Sequence, residues 1–109
     1  MSIRTPVNQW IETDIQTAGI ATATKAAEAG KSHWITKVLA NMESGNGKRV
    51  QLKFGTTVKL TWYADAGTPD KDFGPGLKVT QGALVSVNIA AGAGGVDGVV
   101  GLVGFTEEE

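Results

Sequence analysis

Five groups of residues in this chain have the types or spacing that chemistry uses. Gly30-Lys31-Ser32 matches the end of a phosphate-binding loop, in which backbone amides and a lysine cradle phosphates. The first glycine of that motif would have to stand where Lys25 is, so these residues read as a strand-joining turn. Asp70-Lys71-Asp72 with Gly74 resembles the opening of a calcium loop, but the twelfth position, which should supply a bidentate glutamate, is Gln81. A solvated acidic loop is the better reading, and a nonstandard calcium site on Asp65, Asp70 and Asp72 stays open. His33 is the single histidine, and no partner set for a nucleophile or metal is visible around it, so it reads as a structural residue. The carboxylates Asp65, Asp70, Asp72 and Asp97 could serve glycoside hydrolysis only if the fold set two of them face to face. No enzyme, cofactor or metal site is therefore expected. Trp10, Trp34, Trp62, Tyr63 and Phe73 could stack on sugar faces, with core burial as the alternative. Tyr63, on the polar side of its strand, and Phe73, on a loop, are the two candidates for binding.

Whatever these residues do, β-strands must position them. From Arg49 to Ala64 the chain alternates with a period of two: Val50, Leu52 and Phe54 against Arg49, Gln51 and Lys53, then Val58, Leu60 and Trp62 against Thr57, Lys59, Thr61 and Tyr63. Gly55-Thr56 lies between the runs, where a hairpin would turn. This pattern predicts Trp62 buried with Phe54, Leu60 and Ile89, and Lys59 on the opposite face. Ala18 to Lys25 and Ala83 to Ile89 alternate in the same way, and His33 to Met42 is apolar enough to be buried on both faces or to carry a bulge. Asn46-Gly47 is a strong hairpin signal, and Asp65 to Gly76 reads as the longest loop, followed by a short strand at Leu77 to Thr80. Val96 to Phe105 is apolar on both faces with glycines at 98, 101 and 104, the pattern of a central strand that neighbours or another subunit approach closely. Residues 6–17 fit either a short helix or an extended segment, and their β-branched content favours the extended one.

Composition bounds the function. The 109 residues suffice for one domain, and 41% apolar content supports a core without staples. The absence of cysteine excludes disulfides, thiolate zinc sites and a cysteine nucleophile. Ten Lys and Arg against eleven Asp and Glu lack the basic footprint of nucleic-acid binding, and no apolar run is long enough for a membrane helix. No secretion signal is seen at the N-terminus.

Read in order, Thr17-Ala18-Gly19, Ala29-Gly30-Lys31-Ser32-His33-Trp34-Ile35-Thr36, Val50-Gln51-Leu52-Lys53-Phe54-Gly55, Phe73-Gly74-Pro75-Gly76-Leu77, Ala83 to Ile89 and Val103-Gly104-Phe105-Thr106 form a pattern. It resembles that of small structural proteins of tailed-phage virions with a tumour-necrosis-factor-like jelly roll. The resemblance spans residues 17–106 and carries no catalytic residues. It implies a virion structural protein of the capsid-decoration or cementing type, made in the host cytoplasm, located on the capsid surface and assembled as a homo-trimer. Its partners would be its own copies and a capsid or other virion protein. A carbohydrate- or receptor-binding β-sandwich of a tail or spike is the alternative. The expected architecture is an all-β, single-domain antiparallel β-sandwich (17–106) with an extended N-terminal arm (1–16) and an acidic tail (107–109). On the arm, Trp10, Ile11 and Ile15 are candidate partner-binding residues, with Trp10 either an anchor in a neighbour or folded onto its own sandwich.

Overall fold

The computed structural model describes residues 9–44, 47–92 and 95–108. Eight strands make up the fold: β1 (Gln9–Thr17), β2 (Ala21–Lys25), β3 (Lys31–Met42), β4 (Lys48–Phe54), β5 (Thr57–Ala64), β6 (Lys71–Lys78), β7 (Val85–Ile89) and β8 (Asp97–Glu108). They form two antiparallel sheets, ordered β1-β8-β3-β6 and β2-β7-β4-β5. Strand β1 pairs with β8, β2 with β7, β3 with β6 and β4 with β5, so the chain is one long hairpin rolled into a sandwich, with Gly55-Thr56 at its tip. This strand order is that of a jelly roll. Residues 9–16, read from the sequence as part of the arm, form most of the edge strand β1, and residues 1–8 lie outside the described residues.

Alternation explains most of the core. Val50, Leu52 and Phe54 of β4 and Val85, Val87 and Ile89 of β7 point inward and are buried, meeting Ile35, Val38, Val100 and Leu102 of the other sheet. Strand β3 carries the bulge its composition allowed, with a register shift between Ile35 and Lys37.

Strand β5 departs from the expectation. As the sheet edge it has a neighbour on one side only, and Val58 and Leu60 are left 42% and 37% exposed while Trp62 is half-buried. The register against β4 shifts between Leu52 and Lys53. Lys59 therefore does not take the outward place that strict alternation assigns it: its ammonium sits 5.6 Å from the centre of the Phe54 ring. Two other expectations are corrected. Lys71 to Gly76 is not loop but the body of β6, which pairs with β3 and is kinked where Gly74 and Gly76 take positive φ. The hairpin signal at Asn46-Gly47 falls partly outside the described residues, which omit Gly45 and Asn46, and the strands that flank it, β3 and β4, do not pair but lie in different sheets.

At the β1/β2 end the sandwich is tied shut by the Thr22 amide, which donates to the Asp14 carboxylate at 2.9 Å. That bond is the main reason the Asp14 carboxyl is held below its ordinary pKa, with the Gln16 amide adding to it. A depressed pKa means the tie is complete above the unfolded carboxylate pKa and is lost as pH falls through the folded value. Acidification below about pH 4 should accordingly lower the thermal transition of the wild type more steeply than that of Asp14→Asn.

Glycines on β8 let its neighbours close in. A Cβ on Gly104 would overlap the Trp34 carbonyl oxygen and come 2.7 Å from the Trp10 ring; one on Gly101 would come 2.9 Å from Leu39. Because the obstacle at 104 is backbone, Gly104→Ala should cost about 1–3 kcal/mol in chemical denaturation. Gly30→Ala, with open space around it but φ of 72°, should cost only about 1 kcal/mol.

Candidate functional site

The outer face of the β1-β8-β3-β6 sheet is apolar across three strands. Inward alternation on β8 takes Val100, Leu102 and Thr106, so Val99, Val103 and Phe105 point outward and are only half-buried. Strand β1 sets Ile15 opposite Val99 and Ile11 opposite Val103, and these isoleucines are 60% and 63% exposed. From β3, Leu39 leans over Gly101, and Trp34 lies parallel to Phe105 with ring centres 6.1 Å apart. Trp34 Nε1 is buried without a hydrogen-bond partner among the described residues. Lys37 and Asn41 are the polar residues β3 adds to this face. A contiguous run of branched and aromatic side chains on the outer face of a sheet marks a candidate interaction surface.

Trp10 does not share that exposure. It alternates to the inner side of β1, where its indole N–H donates to Thr106 Oγ1 at 3.0 Å and its ring meets the edge of His33. The His33 ring is buried, with Nδ1 2.7 Å from Thr106 Oγ1 and Nε2 2.7 Å from the Ala26 carbonyl. Since a carbonyl can only accept, Nε2 carries the hydrogen, and in the neutral ring Nδ1 accepts from the Thr106 hydroxyl. The result is a chain of donors running Trp10, Thr106, His33, Ala26, which pins β1, β8 and β3 together and uses both nitrogens of the histidine. Lys25, 5.6 Å from the Trp10 ring centre, and Glu28, which pairs with Lys25 and Lys31, cover it from outside. His33 is thus committed to structure, and Trp10 takes the fold-back alternative rather than that of an anchor presented to a neighbour.

The remaining candidates do not gather. Asp65 accepts from the Thr68 hydroxyl at 2.9 Å and Asp72 from the Gly74 amide at 2.7 Å, which are local turn bonds. Among the described residues no three His, Asp or Glu side chains are grouped as a metal ion would need. Gly30-Lys31-Ser32 forms the turn into β3, with the Lys31 ammonium 3.8 Å from Glu28. Tyr63 is 68% exposed on the outer side of β5, paired with outward Arg49, whereas Phe73 of β6 packs against the core from the other sheet. The two aromatics lie on different sheets and form no common platform. What strand periodicity could not reveal is a cleft between the edges β5 and β6, about 460 Å3 in volume, walled by Phe54, Leu60, Phe73 and Leu77. It depends on the β5 bulge and the kinked β6, neither of which has a two-residue signature.

Comparison with protein-family models, with curated proteins and with solved structures found no match. Thr106→Val keeps the shape but strands the Trp10 N–H and the His33 Nδ1, and should cost about 1–3 kcal/mol in chemical denaturation. Thr106→Ser should restore most of it.

Proposed function

We propose that this chain is a virion structural protein of the capsid-decoration or cementing type, acting by protein–protein binding at the capsid surface and self-associating as a homo-trimer. The observation that carries the reading is the apolar outer face of the β1-β8-β3-β6 sheet on a jelly roll, a fold that viral capsid modules use. Fully burying an exposed isoleucine is favourable by about 1.5–3 kcal/mol, so covering Ile11, Ile15 and the half-buried residues beside them provides a driving force for association. Twofold and threefold closed assemblies both bury such a face; the motif resemblance favours the trimer. The Lys37 side chain supplies a polar contact that helps fix the register of subunits, whereas the Asn41 amide is occupied within the chain by Gly67 and Thr68. A sugar-binding role draws less support, because Tyr63 and Phe73 do not converge.

Light scattering after gel filtration tests the reading. The wild type should elute at three times the 11.3 kDa of one chain, and Ile11→Glu combined with Ile15→Glu should release folded monomers, since neither residue contributes to the core. Purified particles lacking their decoration should bind the wild type. A wild type that stays monomeric at micromolar concentration and ignores such particles would remove the proposal.

A further inference from the structure

Strand β1 has a free edge unlike the other edges of the sandwich. An outermost strand leaves half of its backbone N–H and C=O groups unpaired, and folded proteins blunt such edges against stray pairing. Three of the four outermost strands are blunted. Strand β2 has only five residues, and its Thr22 amide is taken by the Asp14 carboxylate. Strand β5 is interrupted by the bulge at Lys59, and β6 holds Pro75 between Gly74 and Gly76, both at positive φ. Strand β1 has none of these devices: its nine residues contain no proline, lysine or arginine and run in unbroken register along β8. Among the described residues its backbone is bonded to β8 only.

The side chains of β1 define what its edge accepts. Ile11, Thr13 and Ile15 stand on the outer face, so an added strand with branched residues beside them continues the apolar surface. Trp10, Glu12 and Asp14 alternate to the inner side. Asp14 is occupied by Thr22, whereas the Glu12 carboxylate has no ion-pair partner among the described residues. A second β1 is a poor occupant. The antiparallel register that sets Ile11 opposite Ile15 also sets Glu12 opposite Asp14, and like charges opposed across strands are destabilising. A basic residue opposite Glu12 is favourable instead. We infer that β1 binds an extended segment of a partner protein by antiparallel strand addition, with branched apolar residues opposite Ile11 and Ile15 and a lysine or arginine opposite Glu12. Main-chain hydrogen bonds supply the affinity and Glu12 the selectivity. The inference goes beyond the proposed virion role and requires no particular oligomer.

Fluorescence anisotropy with a labelled heptapeptide, Val-Thr-Val-Lys-Val-Thr-Val, tests this on the full chain. With its lysine opposite Glu12, the peptide sets valines opposite Ile11 and Ile15. It should bind once per chain, and the version with glutamate in place of lysine should bind about tenfold or more weakly. Glu12→Gln should abolish that preference and Glu12→Lys should reverse it. Glu12 lies outside the core, and the thermal transition of both variants is checked in parallel; Glu12→Gln decides alone if the lysine variant fails to fold. Successive residues of a strand point their N–H groups to opposite edges. Of two doubly N-methylated peptides, one at the third and fifth residues and one at the second and sixth, one should therefore lose binding and the other keep it. Amide NMR signals of β1 should shift on binding, and those of β2, β5 and β6 should not. No binding, binding indifferent to charge or to the choice of N-methylated pair, or shifts centred on another edge would overturn the inference. Light scattering on the same samples separates the two readings: a trimer that ignores the peptide strikes this inference alone, and a monomer that binds it strikes the trimer alone.

Discussion

Strand β8 carries the longest two-sided pairing in the described fold: over most of its twelve residues it hydrogen-bonds to β1 on one side and to β3 on the other. A strand so placed has to be apolar inward for the core, and it needs glycine where a neighbour crosses. Val100 and Leu102 meet the first need, Gly101 and Gly104 the second. Gly104 is the clearest case, because the Trp34 carbonyl of β3 and the Trp10 indole of β1 converge on the space that a Cβ would occupy. The close approach carries Trp10 to Thr106 and Thr106 to His33, so one small residue underlies the polar chain that fastens three strands.

The same strand explains why the outer face of its sheet is apolar. Val99, Val103 and Phe105 alternate outward and are matched by Ile15, Ile11 and Trp34 on the flanking strands. Nothing in the intrachain fold requires branched side chains there, since the inner face already supplies the core. The two ends of the sandwich differ as well. One is closed by Asp14, Thr22 and the Trp10 network, and the other is held apart by the irregular edges β5 and β6. Closure at one end makes β1 a firm part of the outer face; openness at the other leaves a cleft with a basic rim.

Much of the fold was legible because strands β2, β4 and β7 each have a core face and an outward face, and their residues alternate accordingly. The apolar character of β8 on both faces also read correctly as a central strand, and Gly55-Thr56 as a hairpin tip. Strand β5 misled because alternation does not record whether a face is covered or where a bulge falls: Leu60, opposite inward Leu52, lies at an edge that exposes it, and the bulge sets Val58 opposite outward Lys53. Lys59 misled for the second reason, since a bulge shifts the phase of alternation without leaving a mark in composition. Strand β6 was hidden by Gly74-Pro75-Gly76, which has turn chemistry yet sits at an edge where Pro is tolerated. Asn46-Gly47 has hairpin chemistry, but in a rolled hairpin most successive strands lie in opposite sheets, so a local turn signal does not determine pairing. In the candidate site, the sequence singled out Ile11 and Ile15, and the structure leaves both exposed on the outer face. The place of Trp10 was not legible, because its fate was decided by a hydroxyl and an imidazole far along the chain.

Solvent access to individual isoleucine methyl groups addresses the central claim directly, that the outer face of the β1-β8-β3-β6 sheet is covered in the working protein. Within a single chain Ile11, Ile15 and Ile20 are nearly equal in exposure, at 63%, 60% and 63%, while Ile35 and Ile89 are fully buried. Relaxation of their methyl signals by a soluble paramagnetic agent should therefore separate the first three once subunits assemble. The account predicts that Ile11 and Ile15 are protected towards the level of Ile35 and Ile89 while Ile20 stays strongly relaxed. Equal, strong relaxation of Ile11, Ile15 and Ile20 would contradict it.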